Sequence, residues 1–256
     1  MHTKFIPDYN NIIPTRPYTE DLLGLPVINI RHVPLTNTFN SMVKRSIDIF
    51  GALVAIILFS PIMLISAILV KTTSKGPLIF RQERVGLHNK PFYMYKFRSM
   101  AVQEIKDEKA AWTTKNDPRV TGIGKIMRKT SIDELPQLFN ILRGDMSFVG
   151  PRPELLLYTT QYTKEQECIL WVRPGITDRS SIVYIAQDEI VGTENPVENF
   201  EKYILPEKNR LRVEYALHQS FPLDVELFFE TIGGVFGKAK KMADEKHEQG
   251  VKEPQK

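Results

Sequence analysis

The stretch IFGALVAIILFSPIMLISAILV, residues 49–70, carries no formal charge over 22 positions and decides the architecture of this chain. As a straight helix it would measure about 33 Å, enough for a hydrocarbon core of about 30 Å. A core helix of a soluble protein rarely lacks a polar face, so the stretch predicts a membrane segment. It follows about 40 mostly polar residues, which excludes a secretory signal peptide.

Two features predict that this segment enters the membrane and returns instead of crossing it. Ser60 and Pro61 lie at its midpoint, where proline removes a backbone donor, so the helix should bend or break and the Ser60 hydroxyl is a partner for a freed carbonyl. Both flanks are basic, which favours keeping both ends in the cytoplasm; the residues are Lys44, Arg45, Lys71 and Lys75. Asp48 is expected to pair with Lys44 or Arg45. A kinked helix that spans the bilayer is the alternative.

Composition and charge limit the classes of protein function that remain. The 256 residues, 42% of them apolar and 25% charged, predict one large domain with appendages. The single cysteine, Cys168, excludes an intramolecular disulfide, and the five histidines lack zinc-ligand spacing. The net charge is only +4, but residues 71–130 hold 14 Lys and Arg against 5 Asp and Glu. Such a block suits nucleic acid, an anionic membrane surface or a phosphorylated substrate, with an ordinary solvated face as the alternative.

Hydrophobic patterning predicts an α+β fold that is mainly helical. Its four parts are an irregular N-terminal arm (1–43), a re-entrant membrane helix (44–72), one domain with interfacial amphipathic helices (73–237) and a charged flexible tail (238–256). Strands are predicted at 27–33, 77–86 and 91–100. Helices are predicted at 99–111, 118–129, 134–143, 153–171, 196–218 and 223–237. The last of these is expected to lie on the bilayer.

The stretch RKTSIDELPQLFNILRGDMSFVGPRPEL, residues 128–155, carries the candidate chemistry. Asp133 and Glu134 are adjacent carboxylates just before or within the first turn of the predicted helix. A helix N-terminus suits a phosphate and lowers a carboxylate pKa, which keeps a nucleophile ionised. Two carboxylates beside a phosphate also suit Mg²⁺. The competing interpretation is a capping box, Ser131-x-x-Glu134, in which both side chains only stabilise the helix.

Basic residues accompany this pair. Arg152 lies between two prolines in GPRP (150–153), a stiff extended segment that would present its guanidinium to a phosphate with little loss of entropy. In YKFRSM (95–100), Lys96 and Arg98 alternate with aromatic residues and either face solvent or point into a cleft. A rigid loop with a surface arginine is the plain alternative for Arg152.

In combination, these motifs resemble those of the monotopic phosphoglycosyl transferases, the bacterial sugar transferase family that starts exopolysaccharide, capsule, lipopolysaccharide O-antigen and glycoprotein assembly. The resemblance runs from about Lys44 to about Leu227. The stretches that carry it are KRSIDIFGALVAIILFSP, GPLIFRQERVG, FYMYKFRSM, DPRVTGIGKIMRKTSIDELPQLFNILRGDMSFVGPRPEL and RPGIT.

The resemblance implies an enzyme on the cytoplasmic face of the bacterial inner membrane, held by a re-entrant helix bent at Ser60 and Pro61. It implies Mg²⁺-dependent transfer of a sugar 1-phosphate from a UDP-sugar to polyprenyl (undecaprenyl) phosphate, with membrane lipids and downstream glycosyltransferases as further partners. By motif position, Asp133 would be the nucleophile that carries the phosphosugar, and Glu134 its partner on the metal. The phosphate-binding residues would be Arg152, Arg128, Lys96 and Arg98.

This chain departs from the usual family pattern after PGIT (174–177). The family continues with a glycine and a Gln-Val-x-Gly-Arg pattern, whereas this chain reads DRSSIVYIAQDE (178–189), so sugar and base contacts are not carried over and the sugar stays open. Two other functions remain as alternatives: a non-enzymatic membrane scaffold and a basic nucleic-acid-binding protein. A nucleic-acid partner is not expected, because the helix after Ser131 has few basic residues on its open face.

Overall fold

The computed structural model of this chain describes residues 18–22, 25–29, 38–101, 117–185, 195–234 and 237. The strands are β1 (Tyr18–Leu22), β2 (Leu25–Asn29), β3 (Ile79–Val85), β4 (Pro91–Phe97), β5 (Ser147–Val149) and β6 (Gly175–Thr177). The helices are α1 (Thr38–Thr73), α2 (Gly122–Lys129), α3 (Gln137–Arg143), α4 (Leu156–Thr159), α5 (Arg179–Val183), α6 (Pro196–Asn199), α7 (Leu205–His218) and α8 (221–234). Predictions for most of 99–111 and for the tail 238–256 lie outside these residues.

Helix α1 begins before the predicted boundary at 44 and stays helical through Ser60 and Pro61. A break in the helix is therefore not found, whereas the bend predicted at Ser60 and Pro61 stays a prediction. Pro61 has no N–H to offer the carbonyl of Ile57, and the Ser60 hydroxyl donates to that carbonyl at 2.8 Å instead. The expected partner role of Ser60 is confirmed, and it explains how the helix tolerates a proline in its interior.

Both halves of α1 pack against the rest of the domain. In the first half, Ala52 is buried in a core cluster with Met94, Leu138, Ile141 and Met146. In the second half, Val70 is buried with Phe97 and Met127. Much of the remaining helix surface is apolar and exposed, including Phe50, Leu53, Ile57, Leu58, Leu64 and Ile65. Among the described residues, this is the one helix long and apolar enough to cross a membrane.

Polar side chains anchor the start of α1 to the domain. Lys44 pairs with Asp224 and donates to the Val149 carbonyl at 3.1 Å. Asp48 accepts hydrogen bonds from the Ser147 hydroxyl at 2.9 Å and the Phe148 N–H at 3.1 Å. The hydrogen bonds of Asp48 thus go to β5, while the charge of Lys44 still acts on its carboxylate, so the expected pairing with Lys44 is electrostatic.

Arg45 has a similar anchoring role at a different site. Its guanidinium donates to the carbonyls of Ile141 at 2.5 Å and Leu142 at 2.8 Å, in the last turn of α3. A cation there satisfies free carbonyl groups and interacts favourably with the negative end of the helix dipole. The expected pairing of Arg45 with Asp48 is therefore absent among the described contacts.

Three two-stranded sheets complete the described fold. The antiparallel hairpin β3–β4 confirms the strands predicted at 77–86 and 91–100, with Phe80 opposite Lys96. Strands β5 and β6 are parallel, with Val149 opposite Thr177. An antiparallel hairpin, β1–β2, occupies part of the arm that was expected to be irregular. Strand β2 overlaps the strand predicted at 27–33, of which residues 30–33 lie outside the described residues.

The observed helices follow their capping residues more closely than the predicted boundaries. Helix α2 starts after Thr121, whose hydroxyl accepts the Gly124 N–H at 3.0 Å, so the prediction from 118 began too early. Helix α3 begins after Pro136 and ends at Gly144, which has a φ of 92°. The helix 196–218 is confirmed, with a π-helical turn over Phe200–Ile204. The helix expected at 153–171 is wrong as one unit: it divides into α4 and a 3-10 turn (Gln166–Trp171).

Gly175 allows a close approach of two backbone segments, and its replacement tests the β5–β6 packing. A Cβ at this position would lie 2.2 Å from the Gly150 nitrogen. We expect Gly175→Ala to lower the free energy of unfolding by about 1–3 kcal/mol, because backbone atoms have no freedom to move aside. Denaturant unfolding measures the effect.

The matched control is Gly122→Ala in α2, where an added Cβ meets nothing within 4 Å. Alanine favours helix over glycine, so this variant should keep or gain stability. Equal destabilisation by the two substitutions would contradict the packing of Gly150 on Gly175.

Candidate active site

Asp133 and Glu134 lie in a short 3-10 turn (Ile132–Glu134) between α2 and α3. The predicted capping box is wrong: Ser131 has a left-handed backbone with φ of 57°, and its side chain makes no capping hydrogen bond. The regular helix starts only after Pro136. Neither carboxylate therefore acts as a helix cap, and both are available for other contacts.

Glu134 is held between two cations. Lys96 donates to its Oε1 at 2.7 Å, and Arg152 bonds to Oε1 through Nη2 and to Oε2 through Nη1 at 3.3 Å. Its side chain is 22% exposed. Burial alone would disfavour the charged form of Glu134, but Arg152 and Lys96 outweigh it and hold the pKa of this carboxyl well below its usual range.

Asp133 has a different environment from its neighbour. It is 8% exposed, and within the described part of the chain no group donates a hydrogen bond to its carboxylate. Burial, followed by the neighbouring charge of Glu134, raises its pKa, while Lys96, Arg128 and Arg152 oppose that rise. The expectation that a helix N-terminus lowers the pKa of Asp133 is therefore wrong, because the residue sits in a buried turn beside a like charge.

Arg152 is fixed through both its backbone and its side chain. Its N–H donates to Asp178 Oδ2 at 3.1 Å, and its Nη1 donates to the Ile176 carbonyl at 3.0 Å. The following carbonyl, of Pro153, accepts from Arg84 Nη1 at 3.2 Å. The predicted stiffness of the GPRP segment thus has support from hydrogen bonds to neighbouring elements as well as from its prolines.

The structure brings two of the other three predicted phosphate ligands to this group. Lys96 reaches it from β4, and Arg128 in α2 is electrostatically coupled to Asp133. Arg98 makes its hydrogen bonds elsewhere: its Nη2 donates to the carbonyls of Val70 at 3.3 Å and Ser74 at 2.7 Å. It therefore satisfies backbone groups where α1 ends, which the alternation of Lys96 and Arg98 along the chain did not indicate.

A buried ionic network behind Arg152 was missed from the sequence. Arg212 in α7, 1% exposed, pairs with Glu154 at 2.8 Å and lies 3.5 Å from Asp178. Burial disfavours the charged forms of Asp178 and Glu154, but Arg212 reverses this and their pKa values fall below the usual range. In the sequence, only the departure from the family pattern directly after PGIT draws attention to Asp178. No pattern points to Arg212, because its partners Glu154 and Asp178 lie far from it along the chain.

This arrangement suits an anionic, phosphorylated ligand. Three cations, Lys96, Arg128 and Arg152, converge on two carboxylates, and Asp133 keeps its oxygens free of hydrogen bonds from described residues. Oxygen ligands of this kind also fit Mg²⁺, which binds one or two carboxylates together with substrate phosphates. Asp133 and the less engaged Oε2 of Glu134 are the atoms that could hold it.

Comparisons with known proteins agree with this chemistry. Residues 39–238 match the sequence model of a family described as bacterial sugar transferase. The chain is 42% identical to a UDP-glucose:undecaprenyl-phosphate glucose-1-phosphate transferase of Klebsiella pneumoniae over 237 residues, covering 89% of this chain and 47% of the relative.

Two further relatives differ in the sugar that their names state. A UDP-N-acetylgalactosamine-undecaprenyl-phosphate N-acetylgalactosaminephosphotransferase of Aeromonas hydrophila is 41% identical over 77% of this chain and 44% of its own length. A putative undecaprenyl-phosphate N-acetylgalactosaminyl 1-phosphate transferase of Bacillus subtilis is 46% identical over 54% of this chain and 72% of its own length. The chain thus spans about half the length of the Klebsiella and Aeromonas relatives.

Proposed function

The chain belongs to the bacterial sugar transferase family, and on that premise we propose that it transfers a sugar 1-phosphate from a UDP-sugar to undecaprenyl phosphate. The observation that carries this proposal is the contrast between two adjacent carboxylates. Glu134 is neutralised by Lys96 and Arg152, whereas Asp133 is buried with no hydrogen-bond donor among the described residues. Such a carboxylate is only weakly stabilised and is suited to act as a nucleophile.

In the proposed reaction, a carboxylate oxygen of Asp133 attacks the phosphorus that carries the sugar. A bond forms between that oxygen and phosphorus, the bond from phosphorus to the UMP oxygen breaks, and UMP leaves with the electron pair. A phosphate oxygen of undecaprenyl phosphate then attacks the same phosphorus and releases Asp133. The products are UMP and undecaprenyl diphosphate-sugar, and the enzyme returns to its starting state.

The surrounding cations would lower the barrier of both steps. Lys96, Arg128 and Arg152 can bind the phosphoryl oxygens over which negative charge is spread, and Glu134 keeps two of these cations in place before the substrate arrives. Mg²⁺, held by Asp133 and Glu134, would supply further charge neutralisation on the donor diphosphate.

The apolar surfaces support a place at a membrane, and the basic flanks of the apolar segment favour its cytoplasmic face. Helix α1 exposes large apolar side chains while both of its halves pack on the domain, so we propose that it enters one leaflet and does not cross. Helix α8 buries Leu227 and exposes apolar residues that could lie in the headgroup region; these are Val225, Phe228, Phe229 and Ile232. The product would serve downstream glycosyltransferases in exopolysaccharide, capsule or O-antigen assembly.

A donor-only incubation tests the covalent step. Purified protein is mixed with Mg²⁺ and a panel of UDP-sugars, quenched and analysed by mass spectrometry. We expect UMP release of up to one equivalent per enzyme and a phosphosugar adduct on the peptide that contains Asp133. UMP release that needs the lipid phosphate and leaves no adduct would replace the two-step mechanism by direct transfer. Folded protein that releases no UMP from any donor, with or without lipid phosphate, would favour a membrane scaffold.

The membrane topology gives an independent prediction. Short epitope tags placed after residue 2 and at the C-terminus should both be inaccessible to protease in right-side-out vesicles and both be accessible in inverted ones. This follows if both ends of α1 stay on the cytoplasmic side, with Lys44 and Arg45 bound to the domain at one end and Val70 buried in it at the other. Tags on opposite sides would mean that α1 spans the bilayer.

A further inference from the structure

The parallel pairing of β5 and β6 brings the segment after each strand to the same edge. Val149 pairs with Thr177, and the Gly150 N–H donates to the Thr177 carbonyl at 3.0 Å. Arg152 lies just beyond β5 and Asp178 just beyond β6. Because the carboxyl ends of parallel strands lie together, these two residues become neighbours although they are 26 positions apart in sequence.

The two carboxylate oxygens of Asp178 accept hydrogen bonds from different groups. Oδ1 accepts the Ser181 N–H at 2.7 Å and caps the start of α5. Oδ2 accepts the Arg152 N–H at 3.1 Å and the Ser180 hydroxyl at 2.8 Å. A cap needs only the first of these oxygens, so the bond to Arg152 is an additional contact that helix capping does not explain.

A buried ionic network holds Asp178 in place. Asp178 is 1% exposed and lies 3.5 Å from Nε of the equally buried Arg212, whose Nη2 pairs with Glu154 at 2.8 Å. Glu154 in turn lies 3.5 Å from Arg84 on β3. The segment that carries Arg152 is thereby tied to β3 through Arg84 and to α7 through Arg212.

We propose that Asp178 is a positioning residue for Arg152: by accepting the Arg152 backbone N–H through Oδ2, it fixes the segment that holds this guanidinium on Glu134 and toward the donor phosphates. Asp178 touches neither the substrate nor the reacting atoms. It acts through Arg152, with Arg212 as the counter-ion that keeps its carboxylate charged. In the experiments that measure UMP release, this inference rests on the proposed function.

Asp178→Ser separates positioning from capping. Serine is a good N-cap, so the start of α5 is kept, while its single short hydroxyl cannot also reach the Arg152 N–H. Arg212 keeps its pair with Glu154. We expect kcat/KM for the UDP-sugar to fall about 10- to 100-fold, the cost of misplacing one substrate-binding group. The denaturant midpoint should also fall, because a buried carboxylate beside Arg212 is lost, so activity is compared under conditions in which circular dichroism shows the variant fully folded. Glu226→Gln, which breaks an exposed ion pair with Arg179 in α5, is the matched control and should leave both values unchanged.

A double-mutant cycle shows whether Asp178 acts through Arg152. UMP release is measured with radiolabelled donor for Asp178→Ser, Arg152→Ala and the double variant. If positioning is correct, Asp178→Ser has little further effect once the guanidinium is gone. Losses that multiply, or Asp178→Ser activity equal to that of the wild type, would overturn the proposal.

Amide hydrogen exchange gives a readout that needs no activity. Exchange at the Arg152 N–H, resolved by fragmentation mass spectrometry, should be at least about tenfold faster in Asp178→Ser than in the wild type and the Glu226→Gln control. Unchanged exchange at Arg152 refutes the positioning contact even in an active enzyme. Conversely, wild-type protein that releases no UMP refutes the proposed function, while the exchange result still decides the role of Asp178.

Discussion

Asp133→Asn should abolish transfer while leaving the fold at least as stable as that of the wild type. We expect UMP release to fall by at least about 10³-fold, because an amide cannot form the acyl phosphate that carries the sugar, and we expect the adduct to vanish. Activity is measured with Mg²⁺ and donor, and stability by denaturant unfolding in EDTA.

The stability part of this prediction follows from the sign of the pKa shift. Burial raises the pKa of Asp133 above its ordinary value of 3.8, so the folded protein holds a proton at pH values where the unfolded chain has lost it. Stability therefore falls as the pH rises through this window, and at neutral pH the ionised carboxylate opposes folding. Asparagine carries no charge and removes this cost.

The control for Asp133→Asn is Asp145→Asn, which changes a carboxylate that pairs with Arg143 at 3.5 Å and lies outside the cluster of Lys96, Arg152 and Glu134. It should retain activity. If Asp133→Asn instead lost about 1 kcal/mol of stability and kept its activity, Asp133 would be a helix-stabilising residue after all.

Arg212→Met should destabilise the fold strongly. Methionine fills much of the same volume but leaves Glu154 and Asp178 without the nearest counter-ion, in a site where Arg212 is 1% exposed. Removing one partner of a buried ionic group costs about 3–5 kcal/mol. We expect a loss of this size in denaturant unfolding, together with a loss of activity, since Arg152 depends on the same network.

Arg210→Met is a close control, since it makes the same chemical change two residues away on α7. Arg210 is 61% exposed and pairs with Glu207 and Glu214 on the helix surface, where water screens the charges, so stability should hardly change. Similar losses in the two variants would show that the Arg212 network contributes no more than a surface ion pair.

The same network predicts how the Arg212 effect depends on pH. Arg212 holds the pKa values of Asp178 and Glu154 below their ordinary values of 3.8 and 4.5. Its stabilisation is therefore fully present above those ordinary values and is lost as the pH falls through the lowered ones. The stability gap between wild type and Arg212→Met should narrow on acidification, whereas a gap independent of pH would indicate lost packing alone.

Several site residues could be predicted because their roles follow from local chemistry. Adjacent carboxylates at 133 and 134, and an arginine between two prolines at 152, are visible as short patterns and do lie together in the structure. The competing capping box failed because Ser131 has a left-handed backbone and the regular helix starts only after Pro136. Glu134 is instead engaged by Lys96 and Arg152 from other elements. Local spacing alone could not distinguish a cap from an ion-paired carboxylate.

The apolar segment, the carboxylate pair and the family motifs can be read from the amino-acid sequence without a structure, since each depends on neighbouring residues. Three further features follow from the fold: Arg98 binds the end of α1, Asp133 is buried beside a like charge, and Asp178 holds the Arg152 backbone. These features depend on burial and on charges that meet across distant parts of the chain. A carboxylate's ionisation and an arginine's direction are set by the surroundings that folding creates.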